Sequence, residues 1–196
     1  MLPPEYRIGF SVLRKELGLW PALRVLLSAY RKARKLHFEV QEDFALADRK
    51  KVELKNHFKL FAQMFKELDI CYGRQRAEEV IEKVLKTAGP VFMRGFSPIP
   101  PDGPLSDFIP IYKSFESQNL MFEVIEESEE RFEIIVHRCL IYEAFKELGI
   151  ENVAKWMCDV AFIFFNNYHS NLTYTKDRMI ARGDDTCHEV FLWQSS

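Results

Sequence analysis

Between residues 10 and 30 the apolar positions Phe10, Val12, Leu13, Leu23, Val25, Leu26, Leu27 and Tyr30 recur at helical spacing, with Arg24, Arg31, Lys32, Arg34 and Lys35 interleaved. Pro21 predicts a break into two helices, because proline suits the first residue of a helix and not its interior. Gln41 to Tyr72 reads as one long helix carrying Phe44, Val52, Phe58, Phe61, Phe65 and Leu68, stopped by Gly73. Gln75 to Ala88 is the cleanest helical stripe (Ala77, Val80, Ile81, Val84, Leu85), and Gly89-Pro90 is expected to end it. Six of the nine prolines fall between residues 90 and 110. That stretch also carries Val91, Phe92, Met93, Phe96 and Ile99, so an ordered, irregular wrap is expected over 90–110.

From residue 120 the period changes to two. Leu120, Phe122 and Val124 alternate with Met121, Glu123 and Ile125, and beyond Glu127-Ser128-Glu129-Glu130 a second run alternates Phe132, Ile134 and Val136 with Glu133, Ile135 and His137. This is a β-hairpin. A helix follows over Leu140 to Leu148 with Gly149 after it, then another from an Asn152 cap to Phe165. Leu172 to Ala181 and Thr186 to Trp193 form a second hairpin across Arg182-Gly183-Asp184-Asp185. The order of N-terminal helices, hairpin, two helices, hairpin predicts an α+β fold with an antiparallel sheet packed on helices. One domain is expected over 1–196, with a mainly helical part at 1–118 and a hairpin-helix-helix-hairpin part at 119–196.

Composition narrows the function classes. The chain has 196 residues, 47% of them hydrophobic and 14% aromatic, and a formal net charge of -2. A core is well supplied, and no overall basic field invites nucleic acid. The longest apolar run, Val160 to Phe165, is far shorter than the roughly 20 residues of a bilayer-spanning helix. No secretory leader is expected, since Arg14, Lys15 and Glu16 interrupt the apolar residues after the start. Residues 1–35 hold eight basic and two acidic residues, net +6, which leaves 19 basic and 27 acidic, net -8, for the rest. The basic amphipathic arm at residues 10–35 with Trp20 is a candidate contact for an anionic membrane surface, the acidic body or a second subunit, and a homo-oligomer is expected. Four cysteines without CxxC spacing read as reduced thiols in a cytoplasmic protein.

Standard signatures such as GxGxxG, the P-loop, HExxH and GxSxG are missing from the sequence. Candidate chemistry lies in the last third. Asp159 is the only charge in Trp156 to Phe165, and a carboxylate in a helix apolar nearly all round must be paired, hydrogen-bonded or protonated. It reads either as a general acid/base or amine anchor, or as a buried cap or salt bridge to an arginine such as Arg138 or Arg178. Cys139 opens a helix and shares a face with His137 if the strand stays extended, which suits an activated thiolate; the alternative is a small buried hydrophobe. Cys187 and His188 are successive strand residues on opposite faces, Cys187 with Phe191 and Trp193, and cannot both reach one site. Cys139, Cys158 and Cys187 would make a three-ligand zinc site, but their spacing gives it no support, and neither metal nor cofactor is expected. His37, His57 and His169 are isolated.

Arg138-Cys139, Tyr142-Glu143, Leu148-Gly149-Ile150, Cys158-Asp159 and Ile180-Ala181-Arg182-Gly183-Asp184-Asp185-Thr186-Cys187 with Phe191 form an ordered pattern. It resembles the L-2-amino-thiazoline-4-carboxylic acid hydrolase family. The Gly183-Asp184-x-x-Cys187 hairpin is also similar to 4-vinyl-reductase-type domains, which bind small apolar or aromatic molecules. The first resemblance implies opening of a thiazoline ring by water at the C=N carbon. It places Cys139, Cys158, Asp159 and Cys187 as catalytic, with Asp159 as acid/base or anchor and one cysteine as nucleophile. His137, Tyr142 and Phe162 are expected around the substrate. The second implies a non-catalytic small-molecule pocket. Asp177 and Met179 stand where the family pattern has threonines, and His188 stands where it has an acidic residue, all on the hairpin expected to line the pocket.

Overall fold

The computed structural model describes residues 4–41, 43–96 and 104–194. Five helices come first: α1 (Pro4–Leu17), α2 (Leu19–Ala33), α3 (Leu46–Tyr72), α4 (Arg74–Phe96) and α5 (Leu105–Glu116). The hairpin of β1 (Leu120–Glu127) and β2 (Arg131–Cys139) follows, then α6 (Leu140–Glu147), α7 (Ala154–Asn166), and the hairpin of β3 (Leu172–Arg178) and β4 (Cys187–Trp193). The two hairpins join through their second strands into one antiparallel sheet of order β1-β2-β4-β3. The fold is α+β, with helices packed against that sheet. No described helix is long and apolar enough to cross a membrane.

Two apolar cores result from the two periodicities. Ala22, Val25, Phe65, Leu68, Val80, Ile81, Phe145 and Trp156 fill the space among α1–α4, α6 and α7. Phe108, Tyr112, Phe132, Ile134, Phe165, Tyr174 and Phe191 fill the space between the sheet, α5 and α7, with rings stacked edge to face at centroid separations such as 5.1 Å for Phe165 and Phe191. The basic arm is fastened to the body at one buried acid: Glu67 on α3 accepts hydrogen bonds from Ser28 and Lys32 of α2. Trp20 remains 78% exposed on the outer side of α2, with Arg24, Leu27 and Arg31 also exposed.

Several expected boundaries move. The arm breaks at Gly18, whose φ of 87° only glycine adopts without strain, and Pro21 falls inside the first turn of α2. Phe44 lies ahead of α3, which begins at Leu46. The irregular wrap expected over 90–110 is helical at both ends. Helix α4 continues through Pro90 to Phe96, and α5 contains Pro110; residues 97–103 lie outside the described residues. Proline removes one ladder hydrogen bond. Contacts on both sides of Pro90, with Ala88 buried and Met93 packed on the sheet core, hold the helix together across it. In the last hairpin, β3 ends at Arg178 and a 3₁₀ turn, Ile180–Arg182, precedes β4.

Helix α4 crosses α7 at Gly89, where a Cβ would lie 2.6 Å from both γ-methyls of Val160. Gly89→Ala is expected to lower stability by about 1–3 kcal/mol despite the better helix propensity of alanine. Urea titration checks this, and Val160→Ala in the same chain should restore most of the loss. An unchanged midpoint for Gly89→Ala would refute the close crossing.

Candidate active site

A cavity of about 380 Å3 opens where the two cores meet. Its apolar wall includes Phe58 from α3, Met93 from α4, Val136 from β2, Ile141 from α6, and Met157, Ala161 and Phe165 from α7. A mostly apolar enclosure with few polar groups is the usual form of a small-molecule site.

The strand alternation decides which polar groups enter it. On β4 the inward residues are Cys187, Glu189 and Phe191; on β3 they are Leu172, Tyr174 and Lys176. Lys176 and Glu189 are direct cross-strand partners. The Lys176 ammonium lies 2.6 Å from Oε1 of Glu189, and both side chains are less than a tenth exposed. The other oxygen, Oε2, accepts a hydrogen bond of 2.9 Å from the Tyr112 hydroxyl of α5. Burial opposes charge on Lys176, but the facing Glu189 carboxylate together with Tyr174, Cys158 and Cys187 outweighs it and holds the ammonium well above its ordinary pKa. The Tyr174 hydroxyl beside them is buried and, among the described residues, has no hydrogen-bond partner. Burial, with Glu189 nearby, pushes it well above the usual phenol range.

Three thiols share this wall: Cys139, Cys158 and Cys187. Cys139 caps α6, its sulfur accepting from the Tyr142 backbone N–H at 3.4 Å, and Cys187 accepts from Ile180 N–H at 3.3 Å. Burial pushes the Cys139 thiol up to about 12 and raises those of Cys158 and Cys187, while the Lys176 ammonium pulls in the other direction. The thiols are therefore protonated near neutral pH. Among the described residues no three His, Cys, Asp or Glu side chains are grouped to hold a metal ion.

The remaining candidates divide. Tyr142 lines the cavity. Contrary to expectation, Asp159 is not buried in an apolar shell but sits on the outer side of α7, partly exposed. There it bridges Arg182 at 2.9 Å and Lys86 at 3.2 Å, an arginine partner as in the structural alternative, though neither Arg138 nor Arg178. It does not line the cavity. Phe162, one turn further, is about half exposed and also lies outside. His137 points to solvent, where it meets Glu123 at 3.4 Å, although Cys139 points inward. The cause is a β-bulge. Met121 and Phe122 of β1 pair with Arg138 and Val136, leaving His137 as an extra residue that reverses the sidedness of β2. His188 is on the opposite face from Cys187, held between Asp177 and Glu133 at 2.8 Å each.

Sequence reasoning missed Lys176, Glu189, Tyr174, Tyr112 and His57. The same period-two rule that grouped Cys187 with Phe191 also puts Glu189 between them on that face, so a signal existed. His57, from α3, lines the cavity beside Phe58, and burial lowers its pKa.

This is a helix-and-sheet protein with a partly open, mostly apolar cavity between its two cores. Residues 54–191 match the L-2-amino-thiazoline-4-carboxylic acid hydrolase family, and the chain belongs to that family. All three cavity cysteines and the Lys176–Glu189 pair fall inside the matched stretch. No curated protein matches the chain. Among solved structures, similarity is found to the Fe(II) unliganded H-NOX protein of K. algicida, at 8% identity and a TM-score of 0.44, covering 100% of this chain and 98% of that one. A point mutant of the same protein gives 8% identity, a TM-score of 0.42 and the same coverage. Nothing about the chain's site follows from likeness at that level.

Proposed function

We propose that this protein is a hydrolase that opens a small cyclic C–N substrate of the 2-amino-thiazoline-4-carboxylate kind. The observation that supports this most is the convergence, within the family's matched residues, of three thiols and a buried lysine–glutamate pair on one cavity of about 380 Å3. In this reading water adds to the ring carbon that bears the amino group. The ring C–N bond then breaks, the sulfur keeps the new carbonyl carbon, and both water protons finish on the ring nitrogen, which becomes a primary amine still attached to the carbon that bears the carboxylate.

The protonated state of the cavity thiols favours water over a cysteine as the entering nucleophile. Cys139, Cys158 and Cys187 instead give the ring sulfur a polarizable wall. Asp159, outside the cavity, ties α7 to α4 and to the turn before β4. The four free thiols suit a reducing compartment, and the reading places the protein in the cytoplasm.

Incubation with 2-aminothiazoline-4-carboxylate tests the reading, with ring absorbance and the new primary amine as readouts. Catalysed ring opening is expected. Cys158→Val should lower turnover about tenfold, worth 1.4 kcal/mol of positioning, while Cys71→Ser at the exposed thiol on α3 leaves it unchanged. A ligand-induced thermal shift without turnover of this compound or any related cyclic amidine would overturn the hydrolase and leave a binding protein.

A further inference from the structure

We propose that Lys176 and Glu189, with the Tyr174 hydroxyl beside them, are the specificity-determining residues of the cavity: Lys176 takes a carboxylate of the ligand, and Glu189 takes the N–H groups of an amidine or amine on the same small ring. The proposal deepens the hydrolase reading by assigning the groups that hold its substrate.

Three observations support it. The pair is buried yet borders open space, with Lys176 and Glu189 both lining the cavity and not enclosed by packed side chains alone. A buried ion pair contributes little net stability compared with apolar side chains of the same size, so its presence at a cavity wall calls for another use. The Tyr174 hydroxyl adds a second sign. It projects from the same face of β3 as Lys176, is buried, and makes no well-formed hydrogen bond among the described residues, with Glu189 the polar group close to it. A buried hydroxyl left unmatched is costly, and a ligand polar atom would satisfy it.

The bonding capacity of the pair leaves room for a ligand without breaking it. A lysine ammonium has three donors, of which Glu189 engages one side, and a carboxylate has about four acceptor positions, of which Lys176 and Tyr112 occupy two. Charge balance sets the ligand class. Lys176 and Glu189 cancel, so a ligand of net charge would bring an uncompensated charge into an apolar enclosure, whereas one carrying both a carboxylate and a cationic amidine or ammonium would not. The other charged groups at the cavity, Lys50 and Glu53 of α3, pair with each other at 3.2 Å, with the Glu53 side chain 61% exposed at the rim.

Calorimetric binding of three probes tests this without turnover: 2-aminoimidazoline-4-carboxylate, whose cyclic guanidinium stays charged and resists ring opening, 2-aminoimidazoline, which lacks the carboxylate, and 2-oxoimidazolidine-4-carboxylate, which lacks the cationic amidine. The wild-type protein should bind the first about tenfold or more tightly than either of the others. Lys176→Met should erase the preference over 2-aminoimidazoline and keep that over 2-oxoimidazolidine-4-carboxylate. Glu189→Gln should do the reverse, and Lys176→Arg should keep both. Equal wild-type affinity for all three probes overturns the assignment even if no variant folds, as does either preference surviving in its variant with a native melting transition. Ring opening without this selectivity sinks the assignment and leaves the hydrolase reading; selectivity without ring opening does the opposite.

Discussion

Glu189→Leu lowers the unfolding free energy by about 3–5 kcal/mol, because it strands the buried Lys176 ammonium and removes the acceptor of the Tyr112 hydroxyl. The direction follows from what each state can offer the lysine. In the unfolded chain water solvates it; in the folded variant the remaining neighbours are thiols, Tyr174 and apolar side chains. Removing both charges is a different experiment. Lys176→Met with Glu189→Leu should return stability to within about 1 kcal/mol of the wild type, since an apolar pair of similar volume does not need the desolvation that the ion pair needs. Chemical denaturation of the wild type, the two single variants and the double variant gives the coupling directly. A single variant that loses under 1 kcal/mol, or a double variant as unstable as the singles, would contradict the account. This cycle reads folding alone.

The second large effect is loss of stability in alkali. A thiol whose folded pKa exceeds its unfolded value favours the folded state while protonated, and that contribution is complete below the unfolded pKa of about 8.5. As pH rises from there toward the folded value of about 12 for Cys139, the unfolded chain releases the proton and the folded one retains it. Each unit of difference is worth about 1.4 kcal/mol, so this site alone removes up to about 5 kcal/mol across that window. Cys158 and Cys187 are raised too and act in the same direction. Tyr174 and Lys176 join only at higher pH, once their unfolded forms titrate near 10. Urea midpoints between pH 8 and 11 should therefore fall steeply in the wild type and distinctly less in Cys139→Val. Parallel profiles for the two proteins would show that the buried thiol is not responsible.

The element order was legible because the apolar period changes from helical to alternating near residue 120, and helix and strand demand different spacings to bury one face. The cavity was only half legible. Cysteines stand out as chemistry wherever they occur, so Cys139, Cys158 and Cys187 were found. Lys176 and Glu189 were missed because charged residues in an alternating strand read as its wet face; the alternation already set Glu189 on the face of Cys187 and Phe191, and the sheet pairing of β3 with β4 shows it opposite Lys176. Asp159 misled for the opposite reason. An apolar run around a charge says that the helix is largely buried, but it does not say which way one side chain points, and Asp159 points to Arg182 and Lys86. His137 depended on a single extra residue in β2, which changes sidedness without changing composition. Pro90 obeyed tertiary packing over local preference.

Strand β1 lies at one border of the sheet, paired only with β2, and it presents Met121, Val124 and Ile125 partly to solvent. Apolar side chains on an unpaired backbone edge would ordinarily serve as a template for further strands. Here Glu123, Glu126 and Glu127 are set among them, and Glu129 and Glu130 follow in the turn. Two such borders laid antiparallel would bring acid rows of like sign together, so β1 is guarded against amyloid-style zippering by electrostatic repulsion.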